Sequence, residues 1–139
     1  MKKLLFLLST AILVLTADTA LACTCAPPQS AANELNRATA VFVGKVVKIK
    51  QHNKAAGTFA TVEAVFKVAR VWKGVDEKTV SVFTSSMSSA CGYGFKKGIT
   101  YLVYSYANEE GKLSTSICSR TSRFTDWHED MDELGPGKP

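Results

Sequence analysis

Histidine, cysteine, glycine and proline are all scarce in this 139-residue chain, and each shortage excludes something. Two histidines and four cysteines offer few side-chain metal ligands, so a multi-metal enzyme is poorly supported. Nine glycines and four prolines exclude collagen-like and low-complexity classes. Charged residues reach only 21% against 46% hydrophobic, too apolar a balance for a disordered chain. No glycine-rich phosphate loop occurs. Ser85–Ser89 has no His/Asp set to activate a nucleophile. His128-Glu129 has no second histidine at zinc-protease spacing, and His52 reads as a solvated strand-end residue. The chain is therefore not expected to be an enzyme, to hold a cofactor or to bind a metal of its own. The one long apolar run, 4–15, is shorter than the roughly 20 residues that span a bilayer.

That run reads as a targeting segment. Lys2 and Lys3 precede it, and Ala20-Leu21-Ala22 supplies small residues for cleavage. Residues 1–22 are expected to be a secretory signal peptide, and 23–139 a single extracellular or periplasmic domain. A cysteine directly after the cleavage site also suits a bacterial lipoprotein. The order Ala20-Leu21 reverses the usual lipoprotein pattern, and acylating Cys23 would leave three cysteines unpaired as a set. A lipid-anchored envelope protein is the lesser alternative, and membrane contact is expected only in that case.

Residues 23–125 carry 14 Lys+Arg and 6 Asp+Glu, while the tail from Asp126 carries five acids and one lysine. A basic body can attract acidic partners. Lys45, Lys48 and Lys50 are spread along one predicted strand, however, and a solvated strand face accounts for them. No nucleic-acid partner is expected.

The pattern predicts a mainly β chain. Two prolines keep Cys23–Gln29 extended, and Ala31–Arg37 is a short helix with Ser30 as N-cap. Strands are expected at Val41–Lys50, with a bend or bulge at Gly44, and at Thr58–Trp72. In the latter, Val62, Ala64, Phe66 and Val68 share one face, with Thr61, Glu63 and Lys67 opposite. Further strands follow at Thr79–Ser85, Ile99–Ala107 and Lys112–Cys118, the last two joined by a turn at Asn108–Gly111. Phe124, Trp127, Met131 and Leu134 recur at helical spacing. Thr125 can cap such a helix, Gly135-Pro136 can stop it, and its acids fall on the opposite face. About five strands with an early and a late helix suggest a compact barrel.

Cys23 and Cys25 flank one residue on an extended segment, so both side chains leave on the same side. A bridge between them would be strained. Cys91 and Cys118 are the available partners, and two pairings remain open. Either staples a small exported domain.

Cys23-Thr24-Cys25-Ala26-Pro27-Pro28 resembles the N-terminal segment of the tissue inhibitors of metalloproteinases. The resemblance continues through Val65–Gly74, Ser88–Gly92 with its Ala-Cys-Gly, Tyr101-Leu102-Val103, and Cys118 with the following Trp127. It implies an OB-like (netrin-like) five-stranded barrel and the pairings Cys23–Cys91 and Cys25–Cys118. Two departures stand out. The family's third bridge has no counterpart, since no cysteine lies in Ser30–Arg37 or after Cys118. Its separate C-terminal domain is not expected either.

The chemistry that the resemblance implies is main-chain chemistry directed at zinc metalloproteases. The free amine and carbonyl of Cys23 would chelate the target's catalytic zinc. Thr24 would enter the protease's primary specificity pocket, and Cys25, Ala26 and Pro27 would follow the cleft. Ser89 and Ala90, tethered by Cys91, would form a second edge. The rival expectation is a secreted or envelope binding module of OB type without inhibitory activity, using the basic body and Tyr93, Tyr101, Tyr104 and Tyr106.

Overall fold

The structure is a computed structural model that describes residues 23–53 and 60–139. The expected signal peptide lies outside the described residues, as do Thr58 and Phe59 at the start of one expected strand. Among the described residues no helix is long and apolar enough to cross a membrane.

Ser30 Oγ accepts a hydrogen bond from Asn33 N at 3.2 Å and opens helix α1 (Ala31–Arg37), the helix and cap read from the sequence. Strands β1 (Ala40–His52) and β2 (Thr61–Lys73) pair antiparallel. Their register slips between Val43 and Gly44. A Cβ on Gly44 would sit 3.1 Å from both Lys67 O and Phe66 Cβ, so the residue without a side chain lets the two strands cross closely. Strand β3 (Thr79–Ser85) adds to β2, and β4 (Thr100–Ala107) adds to the other edge of β1. Strand β5 (Leu113–Ser114) closes the circle, parallel to β3 and antiparallel to β4. The ring β1-β2-β3-β5-β4-β1 has five strands, as the composition of strands and turns predicted. Strand β6 (Ser122–Arg123) extends it beside β4, and helix α2 (Met131–Leu134) ends the fold.

Alternation along the strands sorts the side chains into two cores. Phe42, Val46, Ala64, Phe66, Val82, Tyr101 and Val103 fill the ring. Phe95 closes it, meeting Phe66 and Tyr101 edge-to-face at 5.1 Å each. Val41, Val43, Leu102 and Tyr104 point the other way and are covered by Ala31 of α1 and Leu134 of α2. Strands β1 and β4 are thus buried on both faces where the helices cross them.

Three expectations need correction. The tail is not one helix from Phe124 to Leu134. Arg123 and Ser122 pair with Tyr101 and Leu102, and Phe124 N donates to Thr100 O at 3.0 Å, so sheet hydrogen bonds override the helical spacing. Thr125 accepts from His128 N at 3.1 Å in a turn rather than capping a helix, and Trp127 is 95% exposed. Asp130, expected on the wet face, is buried. The strand expected over Lys112–Cys118 pairs only at Leu113–Ser114. Beyond it Thr115 Oγ1 donates to Tyr104 O at 2.9 Å, and the chain turns at Ser116–Ser119.

The third correction concerns the outer face of β1 and β2. Lys45 and Lys48 are exposed as expected, but Glu63 is only 8% exposed. Ser81 Oγ donates to it at 2.7 Å, Lys50 Nζ reaches its two oxygens at 3.1 and 3.2 Å, and His52 Nε2 lies 2.8 Å away. The Ser81 hydrogen bond leads these effects, and with His52 and Lys50 it outweighs burial to pull the carboxyl down to about 2. His52 is a paired residue, not merely a solvated one.

Candidate functional site

Residues Cys23–Gln29 run without helix or strand hydrogen bonding, and Thr24 to Gln29 are all exposed. Pro27 and Pro28 cannot donate main-chain hydrogen bonds and stiffen φ, so the segment stays extended. Two disulfides tie it down. Cys23 joins Cys91 with Cα atoms 5.5 Å apart, and Cys25 joins Cys118 at 5.1 Å. Thr24 stands between the two ties with its side chain exposed.

The two anchor points are themselves joined. The loop after β3 forms a 3-10 turn at Ser88–Ala90, closed by Cys91 N donating to Ser88 O at 3.0 Å. Cys91 then adopts φ 57°, the left-handed region, which costs a residue with a side chain about 1–2 kcal/mol. Its carbonyl accepts from Ile117 N at 3.0 Å, which binds this loop to the Ser116–Ser119 turn that carries Cys118. Gly92 follows, and a Cβ there would lie 2.1 Å from Ser85 O. Only glycine lets the loop fold back so tightly on the end of β3.

The structure brings the sequence-predicted residues onto one ridge in the sense that covalent ties allow. Cys23 sits at Cys91 and Cys25 at Cys118. Ser89, exposed, and Ala90, half-buried, directly precede Cys91. The sequence reading missed Met87 and Ile117, each 46% exposed and each flanking an anchor loop. Adjacency of Ile117 to Cys118 was the available signal. It also missed Arg120 and Asp130, which form an ion pair with side chains 19% and 2% exposed. Their contact is tertiary and left no local pattern.

Behind the segment a cavity of about 500 Å³ is lined by Pro27, Pro28, Arg120, His128 and Asp130, among others. Burial pushes the Asp130 carboxyl up, but hydrogen bonds from Arg120 and Tyr104 prevail and hold it below its ordinary value. The sulfurs of Cys23, Cys25 and Cys118 lie within 4.8 Å of one another. All three are disulfide sulfurs with no thiolate to offer a metal. What the ridge can present to a partner is tethered main chain and the exposed Thr24 side chain between the two bridges.

A family model described as Tissue inhibitor of metalloproteinase matches residues 21–130. No curated protein matches the sequence. The matched stretch takes in both disulfides, the whole five-stranded ring and the extended first segment. The chain belongs to the tissue inhibitor of metalloproteinase family, a family of inhibitors rather than enzymes.

Proposed function

We propose that the exported, processed chain inhibits zinc metalloproteases by offering the free α-amine and carbonyl oxygen of Cys23 to the target's catalytic zinc. The observation that carries this reading is the double tether, with Cys23 and Cys25 both bridged to loops that hydrogen-bond to each other. A catalytic zinc keeps one coordination position for water or substrate. A bidentate main-chain ligand fills it and displaces the water that the zinc would activate. An α-amine titrates at about 7.7–8.0, so its neutral form is available near neutral pH, and coordination favours that form. Because Cys23 is fixed before binding, little ordering entropy is lost. Thr24 then faces the specificity pocket, Cys25, Ala26 and Pro27 line the cleft, and Ser89 and Ala90 make the second edge with Met87 and Ile117 beside them.

The reading requires removal of residues 1–22 and an oxidising compartment, extracellular or periplasmic, which two disulfides suit. The test is titration of the mature protein against a panel of zinc metalloproteases, after mass analysis has verified a free Cys23 amine and both bridges. Stoichiometric, tight inhibition of at least one protease is expected. No inhibition across the panel, or a diacylglyceryl group on Cys23, overturns the reading in favour of a binding module.

A further inference from the structure

We infer that Arg120 is a positioning residue that sets the direction of the Cys23–Gln29 segment by clamping its far end. The inference rests on the inhibitory reading of that segment and names a residue that the reading leaves unassigned. Arg120 Nη1 donates to Gln29 O at 2.8 Å. Among the described residues, no other hydrogen bond reaches the main chain of residues 23–29. The segment therefore has three anchors: a disulfide at Cys23, a disulfide at Cys25, and this one carbonyl. Ala26, Pro27 and Pro28 lie between the last two and are exposed. With the third anchor removed, the four residues Ala26 to Gln29 are held only at their two ends, by the Cys25 bridge and by the Ser30 cap of α1, and no cysteine in Ser30–Arg37 adds a further tie.

The clamp is built to be rigid. Arg120 directs Nε and Nη2 at the two oxygens of Asp130, with Nε to Oδ2 at 3.1 Å. A guanidinium held by such a fork has its remaining nitrogen fixed in direction, and that nitrogen is the one on Gln29 O. Asp130 is held in turn by Tyr104 Oη at 2.8 Å, from a fully buried tyrosine of β4. The side chain of the next residue is fixed to the main chain of the same tyrosine, since Thr121 Oγ1 accepts from Tyr104 N at 3.0 Å and lies 3.1 Å from Tyr104 O. The Arg120 side chain, through Asp130, and the adjacent Thr121 side chain thus both refer to Tyr104, and the ring of strands aims the segment.

Three variants test this: Arg120→Met, Arg120→Lys, and a semisynthetic protein in which the Gln29–Ser30 amide is replaced by an ester. Lysine keeps a cation beside the buried Asp130 but has no fork to hold both partners. The ester leaves every side chain in place and weakens the Gln29 carbonyl as an acceptor, so it decides the matter if Arg120→Met does not fold. Backbone order parameters of Thr24, Cys25, Ala26 and Gln29 are measured beside the inhibition constant and the thermal midpoint. Arg120→Lys and the ester are expected to fold, to show lower order parameters at Ala26 and Gln29, and to inhibit about tenfold more weakly. Unchanged order parameters and unchanged inhibition in the folded variants overturn the inference. Loosening of the segment in the variants of a parent protein that inhibits nothing would instead keep the clamp and remove the inhibitory reading beneath it.

Discussion

The sulfur of Cys23 lies 3.9 Å from the sulfur of Cys118, although the two belong to different bridges. The crosslinks therefore converge on one spot instead of stapling two separate regions. The Ile117–Cys91 hydrogen bond ties their loops together at the same place. Seven residues of chain, six of them exposed, are thereby turned into a fixed ridge.

The bridges span 68 and 93 residues. The chain-entropy account assigns loops of that size about 4–5 kcal/mol each. Cys25→Ala/Cys118→Ala is expected to lower the unfolding free energy by about that amount and to weaken inhibition sharply. Urea denaturation beside an inhibition assay checks both, and an unmoved midpoint would contradict the tethering argument.

Glu63 predicts the acid limb of stability. Its carboxyl falls from an ordinary 4.5 to about 2 because Ser81, His52 and Lys50 bind the charged form. A depressed folded-state pKa adds stability above the unfolded value, and that stability is lost as pH falls from about 4.5 toward 2. Glu63→Gln should flatten the pH dependence of the thermal midpoint in this window and lower the midpoint at pH 7. A variant with the parent's acid profile would show that other carboxyls govern it.

Gly92→Ala should damage the second edge of the ridge. The added methyl meets Ser85 O at 2.1 Å and Met87 O at 2.9 Å, both main-chain atoms that cannot rotate away. The loop carrying Ser89, Ala90 and Cys91 must shift, at about 1–3 kcal/mol. Chemical denaturation and inhibition kinetics should both register the loss, whereas Gly94→Ala, where nothing lies within 4 Å, should leave them alone.

Much of this was legible in the sequence. Ala31–Arg37 and Thr79–Ser85 form as read, because a Ser30 cap and a β-branched run are local signals. The bulge at Gly44 was legible for the same reason. The tail was not, because Phe124 to Leu134 has helical spacing, while Thr100 and Tyr101 supply strand partners that spacing alone does not reveal. Glu63 looked solvated because its three partners come from two strands separated by up to 18 residues in the chain. At the site, the two disulfides pair as the family resemblance on Cys-x-Cys and Ala-Cys-Gly implied. Arg120, which meets Gln29 across 91 residues, was not.

Thr24 is the one exposed side chain between the two tethers, so it should govern choice of target. Thr24→Gly is expected to weaken binding and to reorder the protease panel while leaving the thermal midpoint within about 0.5 kcal/mol equivalent of the parent. An identical inhibition profile across the panel would remove Thr24 as the specificity residue.

The most direct measurement adds a single alanine before Cys23 in the mature protein and determines the inhibition constant with both bridges intact. Zinc chelation needs the amine and carbonyl of one residue, so the extended protein should fold normally and lose inhibition by about a thousandfold, equivalent to about 4 kcal/mol of binding free energy. Undiminished potency with that extra residue in place would contradict the mechanism outright.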